Sequence, residues 1–188
     1  MKKATKNLTL SAMFMAIGLL LPFLTGQIQQ IGNMLLPMHL PVFLCALICG
    51  WQYGVAVGFV LPLLRYLLFG MPPIFPVGVA MAFELATYAL VAGLVYSRSK
   101  WKCVISLYRA LLIAMVAGRV VWGIVEIILL GIGGNAFTWQ MFLSGAILNA
   151  IPGIILQLVV IPMVMVALNR AGLVHFDKKK KVVAKENK

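Results

Sequence analysis

Apolar residues run along this chain in long blocks, and short polar or glycine- and proline-rich punctuation divides them into six. The first block, residues 8–24, follows Lys2, Lys3 and Lys6 and lacks a small-residue cleavage site, so it reads as a retained helix and not as a signal peptide. A polar uncharged stretch, residues 25–33 with Gln27, Gln29 and Gln30, leads to Pro37-Met38-His39-Leu40-Pro41, which opens a short second block ending near Gly50. Proline suits a first helical turn, whose N–H groups lack partners, and two prolines also fit an irregular or partly re-entrant start. The remaining blocks cover residues 54–69, 77–96, 105–130 and 139–168, with Gly70-Met71-Pro72-Pro73 and Gly133-Gly134-Asn135 as turns. A helix needs about 20 residues to cross hydrocarbon. The pattern therefore predicts an all-α polytopic membrane protein: a six-helix domain over residues 8–172, a short leading segment of residues 1–7 and a basic tail of residues 173–188.

Charge placement predicts the orientation. With six spans, the N-terminus, the connections at residues 51–53 and 97–103, and the C-terminus share one side. Every lysine and arginine except Arg65 and Arg119 falls there, including Arg98, Lys100, Lys102, Arg109, Arg170 and the run Lys178–Lys181. The connections at 25–36, 70–76 and 131–138 carry no charge. By the positive-inside rule the basic side is cytoplasmic, and both termini with it. Five or seven spans would put a basic cluster outside.

Composition agrees with a membrane protein: 63% hydrophobic residues, 11% charged and a mean hydropathy of +1.03 over 188 residues exclude an ordinary soluble domain. The net charge of +12 sits in clusters beside apolar blocks without an interleaved aromatic face, which argues against a nucleic-acid surface. The basic tail is expected to meet anionic lipid. Cys45, Cys49 and Cys103 are odd in number and have no metal-ligand spacing around them, so they read as reduced packing residues with no metal. Trp51, Trp101 and Trp139 lie near predicted interfaces and read as belt anchors.

Four ionisable residues break the apolar blocks: Arg65, Glu84, Arg119 and Glu126. Each costs at least about 2.5–3.5 kcal/mol in hydrocarbon, so it is expected to face the bundle interior and to find a partner. Two cations and two anions suggest mutual pairing around a polar pocket in the outer half of the membrane. Arg119, Trp122 and Glu126 share a helix face, as do Met81, Glu84 and Tyr88, and Gly145, Asn149 and Gly153 form a third stripe with a single amide. His39, beside the prolines, is either a ligand contact or part of a capped helix start. The competing account of the charges is structural, with Arg–Glu pairs setting helix register alone. Ala12 and Ala16, one turn apart, would let another helix approach the first span closely.

Six spans, a cytoplasmic N-terminus, the Ala12-x-x-x-Ala16 pair and the polar cluster together resemble the substrate-binding S components of energy-coupling factor (ECF) vitamin transporters. The more specific part of the resemblance runs through His39-Leu40-Pro41, Cys49-Gly50-Trp51-Gln52-Tyr53-Gly54, Pro62-Leu63-Leu64-Arg65, Gly70-Met71-Pro72-Pro73 and Ala82-Phe83-Glu84, and is similar to the pantothenate and riboflavin branch. It implies a non-enzymatic subunit of the prokaryotic cell membrane that captures a vitamin-class small molecule and works with a membrane coupling subunit and two ATPases. In such a complex Ala12 and Ala16 would meet the coupling subunit. The chain has no G-x-x-x-x-G-K-[ST] phosphate loop and no nucleophile paired with a base, so neither ATPase activity nor a bound cofactor is expected of it.

Arg65 and Arg119 together could clamp a carboxylate, for which pantothenate is the favoured candidate. If Glu84 and Glu126 neutralise them instead, an uncharged ring such as a flavin or pyridoxine could stack on Trp122. A proton-coupled secondary carrier using Glu84 or Glu126 is a further alternative, disfavoured by the absence of detectable inverted halves. An intramembrane enzyme or an assembly factor is a third.

Overall fold

The computed structural model describes residues 2–25, 36–99, 102–134, 138, 150–174 and 176. Among these residues the chain forms α1 (Lys2–Leu20) with a 3₁₀ turn (Leu21–Thr25), α2 (His39–Ile48), α3 (Trp51–Phe69), an irregular turn (Ile74–Gly78), α4 (Val79–Arg98), α5 (Val104–Ile132) and α6 (Ile151–Arg170). No strand occurs among the described residues.

Among the described residues five helices are long and apolar enough to cross a bilayer, and α2 is a shorter apolar helix of ten residues. At 1.5 Å per residue α2 rises about 15 Å, half of the ~30 Å hydrocarbon thickness. Its first residue, His39, lies deep in the protein at 1% exposure, after a turn in which Leu36 adopts a φ of 49°. The irregular entry that the prolines allowed is therefore present, and it delivers a helix start to the interior. Irregular backbone at that depth is tolerated where protein surrounds it.

The predicted connection at residues 51–53 is not a loop. Gly50 takes a φ of 108°, a conformation open to glycine, and α3 begins at once with Trp51. Trp51 packs against α4, where a Cβ on Gly93 would come within 2.8 Å of the Trp51 Cα. The first third of the predicted sixth span, residues 139–149, lies outside the described residues, together with Trp101, Trp139, Asn149 and most of the basic tail.

Several contacts define one end of the bundle. The Asn7 side chain on α1 donates to the Cys49 carbonyl after α2 at 3.0 Å, and Trp51 meets the last turns of α4. Tyr108 near the start of α5 shares a groove with Met163, Val166, Ala167 and Arg170 near the end of α6, so α5 and α6 run antiparallel. Lys6, Arg98, Lys102, Arg109 and Arg170 consequently gather at the same end.

The bundle is held by small residues inside and branched ones outside. On α5 the buried positions include Ala110, Ala114 and Gly118, while Ile105, Leu112, Val116, Val120, Ile124 and Ile127 are exposed. The buried positions of α4, which packs against α5 and also against α2 and α3, include Ala82, Ala89, Ala92 and Gly93. Small side chains let helix backbones approach closely where lipid supplies no hydrophobic drive between helices. Around this pair the helices α2, α4, α5 and α6 close a circuit, α2 against α4, α4 against α5, α5 against α6 and α6 back against α2. Helices α1 and α3 pack on the far side of α2, and α3 also packs against α4.

Candidate functional site

Inside that circuit the charges on α4 and α5 meet. Arg119 Nη1 lies 3.0 Å from Glu84 Oε1; the Glu84 side chain is buried at 3% exposure and that of Arg119 is mostly buried at 13%. The same carboxylate oxygen accepts a 2.8 Å hydrogen bond from the Tyr88 hydroxyl one turn along α4. From α2, His39 Nε2 approaches it to 3.8 Å. The Tyr88 ring stacks on Phe43 at 5.2 Å between centroids and leans against His39 at 5.3 Å. Three helices thus converge on one carboxylate.

The pairing leaves donors unused. Nη1 is taken by Glu84, while Nε and Nη2 of Arg119 are buried and have no hydrogen-bond partner among the described residues. Those two atoms form the side-on edge of the guanidinium, the pair of parallel N–H groups that matches a carboxylate. Both ring nitrogens of His39 are likewise buried without a hydrogen bond among the described residues. Buried polar groups are normally satisfied, so each of these exceptions calls for a reason.

A model of the family described as ECF transporter, substrate-specific component matches residues 6–165, most of the chain. The chain belongs to that family. Nothing matches it among curated proteins or solved structures. As a member of that family this protein is the substrate-specific subunit of an ECF transporter.

The other residues singled out from the sequence fall as follows. Glu126, at 4% exposure, lies on α5 two turns beyond Arg119, with half-buried Trp122 between them. Arg65 has different neighbours. It is 5% exposed, donates to the Leu19 carbonyl at 3.2 Å, and lies 5.9 Å from each of the Phe23 and Phe69 rings. In the 3₁₀ pattern that ends α1, the Leu19 carbonyl would pair with residue 22, and Pro22 has no N–H to give. Arg65 supplies that donor from α3. Ala12 and Ala16 are both exposed, on a face shared with Leu8, Met13, Ile17 and Leu20.

Two contributors are not evident from residue type. Phe43 is visible in the sequence only as one apolar residue among many. Gly118, next to Arg119, is required by Tyr88: a Cβ there would sit 2.2 Å from the Tyr88 ring. Tyr88 is 2% exposed and stacked on Phe43, so it has nowhere to retreat. Gly118→Ala is expected to cost about 1–3 kcal/mol by overpacking and to pull the Tyr88 hydroxyl from Glu84. Thermal unfolding of the purified variant, followed by tyrosine fluorescence, measures both effects.

Proposed function

We propose that the chain captures a vitamin-class acid in an outward-facing intramembrane site and passes it inward through an ATP-driven ECF importer. The observation that carries this reading is the buried, unused side-on edge of Arg119 beside Glu84. The spare N–H groups of Arg119 favour a substrate with acceptor oxygens, and a carboxylate fits that edge best. Pantothenate, with its carboxylate, amide carbonyl and hydroxyls, is the candidate of that class. Glu84, Arg119, His39, Trp122, Glu126 and Asn149 are proposed to line the site. Arg65 is proposed to secure the C-terminal end of α1, given its bond to the Leu19 carbonyl.

A second reading has support of its own. Glu84 already cancels the formal charge of Arg119, and Glu126 adds another acid nearby, which suits a neutral ring of the riboflavin or pyridoxine kind held against Trp122. Mass spectrometry of the solute that co-purifies from rich medium separates the two. A carboxylate-bearing vitamin supports the first reading, and an uncharged heterocycle supports the second.

The topology fits the same proposal. We read α2 as the short second pass of six, with the basic end of the bundle cytoplasmic and the protein in the cell membrane of a prokaryote. The partners are then a membrane coupling subunit and two ATPases, which provide the energy. Ala12 and Ala16 are proposed to meet the coupling subunit, because their exposure on α1 leaves room for a neighbouring helix. Ala12→Trp with Ala16→Trp should abolish ATP-dependent uptake in reconstituted vesicles while leaving the solute affinity of the isolated subunit unchanged. Parallel loss of both would instead mark a folding defect and remove the docking role.

A further inference from the structure

Helix α6 buries Gly153, Gln157, Ile161 and Met165, spaced four residues apart, with Pro162 beside them. Its opposite face, Ile155, Val159 and Met163, is exposed. Gln157 is the only side chain on the buried stripe that can donate a hydrogen bond, it is 1% exposed, and its Nε2 has no hydrogen-bond partner among the described residues. An amide that merely joined neighbouring helices would spend that N–H on one of them. This one does not.

Its neighbours are the helices that carry the other unsatisfied groups, since α6 packs on α2, which holds His39, and on α5, which holds Arg119. Depth agrees as well. The shared groove sets Tyr108 of α5 beside Met163, Val166 and Ala167 of antiparallel α6. Following each helix away from that groove for about three turns reaches Arg119 on one and comes within about one turn of Gln157 on the other. Glu84, Arg119 and Gln157 all lie about four turns from the basic end of their helices.

We infer that Gln157 is a specificity-determining residue of the substrate site: its carboxamide N–H donates to an uncharged acceptor oxygen, an amide carbonyl or hydroxyl, on the part of the substrate away from the Arg119 edge. This rests on the reading of the Arg119 cluster as the substrate site and adds a fourth wall to it. Arg119 recognises the acid, and Gln157 separates acids that carry a neutral oxygen at the right distance from those that do not. Such a contact discriminates strongly, because a substrate lacking the oxygen leaves the buried amide unpaired.

The test uses full-length protein purified from rich medium, with Gln157→Met as a volume-conserving change and exposed Val159→Ala as a control. Retained solute is quantified by mass spectrometry, equilibrium binding is measured with labelled pantothenate and with riboflavin, and thermal unfolding is recorded without ligand. Gln157→Met should unfold at the same temperature as wild type or higher, and hold about tenfold less solute, the loss expected for one buried hydrogen bond. Val159→Ala should match wild type. If Gln157→Met holds as much solute as wild type while Arg119→Ala holds none, the role of Gln157 is overturned and the site stands. If both variants hold solute normally, or if wild type retains none and binds neither probe, the reading of the site falls and this inference with it.

Discussion

Replacing Glu84 with leucine should destabilise this protein more than any other single change within the site. Glu84 is the common partner of Arg119 and Tyr88, at 3.0 and 2.8 Å, and it is 2% exposed. Its loss leaves the guanidinium with no anion within reach on α4 and strands the Tyr88 hydroxyl. Breaking a buried ion pair from one side costs on the order of 3–5 kcal/mol, because the surviving charge stays desolvated and unpaired. The expected result is a large drop in the midpoint of thermal unfolding in detergent. Glu84→Leu combined with Arg119→Leu should recover most of that drop, since the orphaned charge goes too, yet the double variant should bind no solute. A Glu84→Leu midpoint equal to wild type would show that the pair does not hold the helices, and the convergence on this carboxylate would lose its significance.

Arg119→Lys addresses binding rather than folding. Lysine keeps the positive charge beside Glu84 but presents a compact ammonium in place of the planar fork. The variant should therefore remain folded and weaken the binding of a carboxylate-bearing vitamin by on the order of 2–4 kcal/mol, roughly 30- to 1000-fold. Equilibrium binding of labelled pantothenate to the purified protein measures this directly. An affinity within twofold of wild type would mean that the side-on edge is not where substrate sits. The two variants separate the two roles of the same cluster: Glu84 as the group that fastens α4 to α5, Arg119 as the group with capacity to spare.

The contrast between Arg65 and Arg119 shows how a site can be half legible. Both interrupt apolar blocks, and the cost of such a charge marks both from the sequence. Which acceptor each would find is not encoded nearby. Arg119 finds a carboxylate from another helix, whereas Arg65 finds a backbone carbonyl exposed by Pro22, more than forty positions away along the chain. Tyr88 was visible on the Glu84 face by spacing, but its need for Gly118 depends on how closely α4 and α5 approach.

What the sequence determined by itself is the class of molecule and the location of its costly residues. Hydrocarbon imposes the same requirement on every spanning helix, so block length and basic punctuation were sufficient to read an all-helical membrane chain with charges turned inward. Tertiary structure alone decided that the short helix α2 starts with a buried His39, that α3 begins directly at Trp51, and that Glu84 serves Arg119 and Tyr88 at once with His39 facing it. Those outcomes depend on which helices are neighbours and on their relative depth. Periodicity along one helix fixes the face of a side chain, but the group it meets belongs to another helix.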